Sequence, residues 1–412
     1  MNVLKTLLIL LPVLFSCKAE NKQELPKEEE ADQIEQIEEK ISFWDTHRKG
    51  ANYFNQTPTR EWFDAASKAN IKFVRFVYEK WQGEGDYFLM GNGEKYEGIV
   101  EKDFAKLKEY LDYAHTLDIK VVLCPISIPG EKWIQSNEGK HDGRLWKSFE
   151  YTDQVVKFWK DLAIRLKDHP AIVGYNLVNE PHPEIHHKKF SFWNRDLADW
   201  YQSIRETPAN LNVFNKKLVR SIREVDTETP IIVESGLYAT PWAFDYLEPI
   251  DDDKIIYSFH MYEPYGFTTQ KINDGQFAYG GKIAIAETGA DFGLNRESLD
   301  QFFRPIKEWM EKYNIPANRM WVGEFGCNRH IEGVDQYLAD LISIFNDNNW
   351  HWSFYAYRED VWEAMDYELG TQKVFYKYWE YQEDKELHLK YEEIYARVKD
   401  RSLWAVIEKE FK

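Results

Sequence analysis

The sequence predicts an α/β chain folded as a single (β/α)8 TIM barrel with extended βα loops, and three features predict it. From residue 48 onward eight short apolar runs recur, most of them nearly continuous in Val, Ile, Phe and Tyr. Such runs suit strands buried on both faces of a parallel sheet. Amphipathic stretches of helical periodicity alternate with them, and no internal repeat or second domain interrupts the alternation.

The expected strands are Gly50–Phe54, Ile71–Val77, Lys120–Ser127, Ile172–Glu180, Ile231–Gly236, Ile255–Tyr262, Met320–Gly326 and Trp352–Tyr357. Between them, Lys102–Asp118 places Phe104, Leu107, Leu111 and Ala114 on one stripe, and Thr152–Lys167 does so with Val155, Phe158, Leu162 and Ile164 or Leu166. Further helices are expected at Arg60–Ala69, Asn210–Val225, Glu297–Lys312, Val334–Phe345 and Lys390–Val398, with a short one near Pro241–Leu247. Gly266 to Asn295 reads as an inserted loop. The competing architecture, a doubly wound open sheet, wants a Gly-rich phosphate turn after the first strand, and Gly50-Ala-Asn-Tyr is not one.

Ahead of the barrel the chain carries Lys5, an apolar run from Leu7 to Phe15, and Ser16-Cys17. The run is too short to span a bilayer and has the layout of a secretory signal. Leu14-Phe15-Ser16-Cys17 resembles a bacterial lipoprotein signal, which implies cleavage before Cys17 and lipidation of that cysteine. Lys18 to Lys40 follows, acidic and without aromatics, as a solvated tether would be. The expected organisation is a signal over residues 1–16, the acylated Cys17 and tether over 17–40, and a catalytic domain over 41–412. The expected location is extracytoplasmic, on a membrane, the bacterial outer membrane in particular. Cys124 and Cys327 remain, both in or beside strand-like runs, where small buried side chains are expected rather than a bridge.

A net charge of −18 provides no basic groove for phosphates, so nucleic acid is excluded as a partner. The 16 Trp, 25 Tyr and 25 Phe are more than packing alone suggests. Flat rings suit ligands with an apolar face and polar edges.

In a barrel of this kind chemistry sits at the C-terminal ends of the strands. The fourth run ends in Asn179-Glu180, the seventh contains Glu324, the sixth ends with His260 and Tyr262 on one face, and the second contains Arg75. Each interrupts an apolar run, and buried charge is costly unless paired. A lone strand-end Glu is ordinarily part of a structural ion-pair network. Two of them, with Asn179 beside one and a His/Tyr face nearby, point to catalysis. Paired carboxylates across a barrel mouth are the equipment of glycoside hydrolysis, one protonated and one ionised.

The "NEP" of Asn179-Glu180-Pro181 and the "GEFG" around Glu324 resemble glycoside hydrolase family 5, the cellulase-type family of clan A, over about Arg48 to Tyr357. The resemblance implies a retaining double displacement with Glu180 as acid/base and Glu324 as nucleophile, without a cofactor. Asn179 would then bond the sugar 2-hydroxyl, Arg75 and Tyr262 would hold and orient Glu324, and His260 would position Glu180. The third strand departs from the family pattern: it ends in "VLCPISIPG", with Ser127 where a histidine-bearing element is usual. In the eighth, "WHWSFYAYRED" offers Trp352, Tyr355 or Tyr357 in place of the usual Trp floor.

Trp81, Trp133, Trp146, Trp193, Trp242 and Trp362 fall in segments that follow strands and are expected to serve as sugar platforms or loop anchors. Trp62, Trp159 and Trp309 fall on helices and are expected to pack. His182 is expected to line a subsite. A metal on His182, His186 and His187 is not expected, because Pro183 interrupts the i,i+4 pair. Loop carboxylates Glu287, Glu359, Asp366 and Glu368 are expected at the solvated surface, with a sugar-hydroxyl contact as the alternative. The expected activity is a monomeric, lipid-anchored retaining β-glycanase on β-1,4-linked glucan or mannan. A non-hydrolytic surface glycan-binding lipoprotein and a clan A glycosidase on small β-glycosides are the alternatives.

Overall fold

A computed structural model describes residues 40–412 except 55–57, 79–80, 82, 86, 135–136, 188–196, 285–290, 360–361, 363, 372–394 and 397. The signal, Cys17 and nearly all of the tether, Trp193, Glu287 and most of the helix expected at Lys390–Val398 lie outside the described residues.

Eight parallel strands close on themselves: β1 (Lys49–Tyr53), β2 (Phe73–Val77), β3 (Lys120–Cys124), β4 (Ile172–Asn176), β5 (Ile231–Glu234), β6 (Ile255–Met261), β7 (Met320–Phe325) and β8 (His351–Phe354). Closure is made by β8 returning to β1, with Lys49 opposite Trp352 and Ala51 opposite Phe354. The barrel sheet has no free edge, and the doubly wound alternative is overturned. Every strand but β2, which ends at Val77 as expected, is shorter at its C-terminal end than the apolar run that announced it. The residues beyond the ladder, Asn179 and Glu180 among them, belong to the loops that build the upper rim.

Helices α1 (Arg60–Lys68), α2 (Glu101–Thr116), α3 (Phe149–Leu166), α4 (Leu211–Arg223), α5 (Arg304–Tyr313), α6 (Val334–Asp347) and α7 (Ser402–Glu408) are the longer ones. Local chemistry starts several of them. Thr59 accepts from the Trp62 amide, Ser148 from Glu150 and Asn210 from Asn212, each satisfying an orphan donor of a first turn. On α3 it is Leu166 that faces the core, while Ile164 is exposed. The helix expected over Glu297–Lys312 is two pieces, Arg296–Gln301 and α5, because Pro305 lacks the amide that would continue the first ladder and instead opens the second. The expected inserted loop contains two helical turns and an antiparallel hairpin, Lys282–Ala284 with Asp291–Gly293. The C-terminal helix α7 did not show in the apolar pattern. It seats Trp404 near Phe354, and Phe411 just beyond it reaches Trp352.

Period-two alternation divides the barrel interior into layers. Phe73, Val122, Val173, Ile232, Ile256 and Trp321 form an apolar layer near the strand starts, plugged from below by Trp44, whose indole N–H donates to the Val173 carbonyl at 2.9 Å. Two residues further along β2, β3 and β5, the same inward face carries Arg75, Cys124 and Glu234. The barrel is therefore dry at its base and charged at its mouth. The helix tryptophans pack as expected, each fixing its ring to a carbonyl: Trp62 to Tyr357, Trp159 to Leu177, Trp309 to Leu247.

Candidate active site

Arg75 is the hub of the mouth. It is fully buried, and every nitrogen of its guanidinium has an acceptor. Nε donates to Asn176 Oδ1 at 2.8 Å. Nη1 donates to Glu324 Oε1 at 2.5 Å and to Asn52 Oδ1 at 3.3 Å. Nη2 reaches Asn179 Oδ1 at 2.7 Å, Glu234 Oε1 at 3.0 Å and Cys124 Sγ at 3.2 Å. One inward side chain of β2 thus ties together β1, β3, β4, β5 and β7. The second oxygen of Glu324 accepts from the Tyr262 hydroxyl at 2.7 Å.

Glu180 sits four residues past the end of β4 in left-handed backbone, φ 47°, a strained conformation of the kind found at functional positions. Its amide donates to Glu234 Oε2 at 2.7 Å, and its carboxyl oxygen lies 2.8 Å from His260 Nδ1. Carboxylate oxygens of Glu180 and Glu324 come within 4.8 Å of one another. Burial raises the proton affinity of Glu180. The hydrogen bond and charge of His260 oppose this, the carboxylates of Glu324 and Glu234 reinforce it, and the net shift is upward. Burial would also raise Glu234, but the charges of His260 and Arg75 outweigh it and hold this carboxylate at about 2. His260, which burial alone would neutralise, is pushed up to about 10 by Glu324, Glu234 and its bond to Glu180. Arg75 and His260 therefore stand among the carboxyl groups of Glu234, Glu324 and Glu180, and of these Glu180 is the one whose proton affinity is raised.

The "GEFG" sequence has a steric reason. A Cβ on Gly323 would stand 2.6 Å from Ser258 Oγ, and one on Gly326 would stand 2.7 Å from Met365 Sδ and 2.9 Å from the Tyr355 carbonyl. Neighbouring β6 and the segment after β8 can approach Glu324 only because both positions lack side chains.

Above the carboxylates opens a cavity of about 400 Å³. Its lining includes Asn179, Glu180, His182, His260, Tyr262, Glu324, Trp133, Trp242, Tyr355 and Trp362, all expected from the sequence, together with Phe54 and Tyr238. Trp362 stands edge-on to both Tyr262 and Tyr355, at ring distances of 5.1 and 5.4 Å. Tyr238 stacks on His182 at 4.4 Å.

Four expected platforms are elsewhere. Trp81 is packed among Phe76, Phe88 and Tyr110 beneath the loop after β2. Trp352 is wholly buried between Phe325 and Phe411, because alternation along β8 turns it toward the helices. Tyr357 leans on Trp62 and Trp404. Of the eighth-strand aromatics it is Tyr355 that reaches the cavity. Trp146 is likewise buried, against Phe214. Glu359, Asp366 and Glu368 are buried rather than solvated, and Arg358 pairs with Glu368 at 2.7 Å. Cys124 and Cys327 are buried and unbridged.

Sequence reasoning missed Glu234, Asn52, Asn176 and Glu131. Glu234 carried the same signal as its neighbours, a carboxylate closing the apolar run Ile231-Ile-Val. The two asparagines are uncharged and raise no comparable alarm in a strand.

A family model described as cellulase (glycosyl hydrolase family 5) matches residues 32–360. Endoglucanase C of Acetivibrio thermocellus is 21% identical over 346 residues, covering 78% of this chain and 88% of that protein. A β-xylosidase of Phanerodontia chrysosporium is 22% identical over 282 residues, and the chain spans about half of its length, 51%. Among solved structures, Thermotoga maritima Cel5A in complex with cellobiose superposes with a TM-score of 0.58 at 17% identity, over 89% of this chain and 98% of the other.

Proposed function

We propose that this chain, which belongs to the cellulase family (glycosyl hydrolase family 5) and is an O-glycosyl hydrolase, cleaves β-1,4-linked glucan within the polymer and retains the anomeric configuration. The presence of both carboxylates, Glu180 and Glu324, argues against the non-hydrolytic binding protein. The observation that carries the reading is the carboxyl pair: Glu180 and Glu324 oxygens within 4.8 Å across the barrel mouth, in opposite electrostatic settings. Retaining enzymes hold their two carboxyl groups about 5–5.5 Å apart, whereas inverting ones leave roughly 6.5–9.5 Å for a water.

Roles follow from the contacts. Glu180, whose proton affinity is raised, delivers its proton to the leaving oxygen and later takes one from the incoming water. Glu324, which receives Arg75 on one oxygen and Tyr262 on the other, attacks the anomeric carbon. His260 holds the Glu180 carboxyl toward the cavity. Asn179 has its oxygen engaged by Arg75, which leaves its amide hydrogens for a sugar hydroxyl. Trp133, Trp242, Trp362 and Tyr355 are the rings offered to sugar faces. The relatives named endoglucanases support glucan and internal cleavage.

Incubation with cellulose, mixed-linkage glucan, mannan and xylan oligomers tests the substrate. Mixed short oligomers from β-1,4-glucan are expected, with the newly formed reducing end initially β by NMR. Initial α product, or turnover confined to another glycan, would sink the corresponding part of the proposal.

The same proposal places the enzyme as a monomer on a membrane through Cys17, supported by the apolar run Leu7 to Phe15, the cysteine directly after Ser16 and the acidic stretch that follows. Lipid attachment holds the catalytic domain outside the cytoplasm, at the outer membrane of a bacterium. Cys17→Ser is expected to move the protein from the membrane to the soluble fraction on cell fractionation. Continued sedimentation with membranes would remove the lipid anchor from the account.

A further inference from the structure

We infer that Glu131, His182 and His186 form a binding site for one divalent transition-metal ion of the Zn2+ type, in the cavity wall beside the catalytic carboxylates. Glu131 comes from the loop after β3; the two histidines come from the loop after β4. The presence of Pro183 between the histidines had argued against a metal. In the structure Pro183 takes the first position of the helical turn Pro183–His186, where its missing amide costs nothing, so the i,i+4 pair survives on one side of that turn. The carboxylate that completes the set lies more than fifty residues upstream, beyond the reach of any spacing rule.

The geometry is that of a ligand shell. His182 Nε2 and His186 Nε2 stand 3.4 and 3.7 Å from Glu131 Oε1, and the three ligand atoms lie within 4.8 Å of one another. Zinc bonds to nitrogen and oxygen of about 2.0–2.1 Å place tetrahedral ligands roughly 3.3–3.4 Å apart. Neither contact is a hydrogen bond, which would bring the atoms to about 2.7–3.2 Å. All three side chains are more than nine-tenths buried. Among the described residues His186 Nε2 has no hydrogen-bond partner, while the Glu131 carboxylate has the Trp146 indole beside it. A buried polar group in that condition is costly.

Tautomer chemistry sharpens the case. His182 Nδ1 lies 2.7 Å from the carbonyl oxygen of Glu180, which can only accept, so Nδ1 carries the hydrogen. A neutral imidazole then presents the Nε2 lone pair, here toward a carboxylate oxygen. Lone pairs gathered around one point repel unless a metal ion or a proton sits among them. Imidazole fixed through its far nitrogen by a backbone carbonyl is the usual outer support of a zinc ligand. His141, exposed at the rim with its ring 5.8 Å from that of His186, flanks the site for a fourth ligand or a water. Two imidazoles and one carboxylate favour zinc or cobalt over calcium or magnesium, which prefer all-oxygen shells. The bound ion would clip the loop after β3 to the loop after β4, which carries Glu180.

The test reads metal, not turnover, so it succeeds or fails independently of the glycan assignment. The full chain is stripped with chelator and titrated calorimetrically with ZnCl2, and with CoCl2 while visible ligand-field bands are followed. One ion per chain is expected, with a rise in the wild-type melting midpoint. His186→Ala and Glu131→Gln are each expected to weaken binding by more than about 100-fold, beyond the 10–100-fold typical of outer-shell losses. Absence of stoichiometric Zn2+ uptake by the folded wild-type chain would overturn the inference, as would unchanged affinity in both variants. The wild-type stoichiometry and melting shift decide without relying on the variants' folding.

Discussion

Glu324→Gln is expected to lose at least about four orders of magnitude in kcat on β-1,4-glucan oligomers while binding them within a few-fold of wild type. The amide is nearly isosteric and its single oxygen still accepts from Arg75, while its NH2 takes the place of the oxygen facing the Tyr262 hydroxyl, which then accepts; the amide cannot attack an anomeric carbon. It also removes the carboxyl group that pairs with Arg75 and lies near His260 in the buried cluster. Fold and affinity therefore need checking beside rate, by circular dichroism and calorimetry with oligomer. A small azide anion supplied to Glu324→Gly is expected to restore turnover and to give an inverted glycosyl azide, because the anion enters from the face the carboxylate vacated. Substantial activity in Glu324→Gln, with correct mass confirmed, would dismiss this residue as nucleophile.

Glu180→Gln produces a different signature. Removal of a general acid costs roughly 10²–10⁴-fold when the leaving group needs a proton. The loss is expected with natural oligomers and much less with aryl glycosides whose leaving groups depart unaided. The pH profile adds a sign. Glu180 has its proton affinity raised, by burial first and by Glu324 and Glu234 against the opposing His260, so its neutral form persists above the ordinary carboxylate range. As pH rises through that raised value the proton donor is lost, so kcat/KM on oligomers falls on the alkaline side. In Glu180→Gln that limb is expected to disappear when the reaction is followed with an aryl glycoside. An alkaline limb unchanged in the variant would assign it to another group.

Both predictions depend on residues that the sequence already exposed. Glu180, Glu324, Arg75 and His260 were legible because each places charge or a titratable ring inside a run of Val, Ile and Phe, where an unpaired polar group is costly. The barrel was legible for a related reason: strands buried on both faces leave continuous apolar runs, and helices leave stripes. Glu234 was visible by the same rule and was passed over, since the pair alone sufficed for the chemistry. Without it, however, the Glu180 amide loses its acceptor, and His260 loses one of the carboxylates that, after Glu324, raise it.

What the sequence determined by itself was the alternation of elements, the polar residues at the strand ends and the packing role of the helix tryptophans. These are periodic or local properties, set by side chains within a few residues of one another. Only the tertiary structure decided which aromatics reach the cavity. Trp352 and Tyr355 lie three residues apart, yet alternation along β8 and the turn beyond it send one toward the helices and the other toward the mouth. Only the structure, too, brought Glu131 to His182 and His186, and Arg75 to acceptors on five strands or their following loops. Closure of the barrel sets those distances, and closure is a property of all eight strands together, carried by no single segment of the chain.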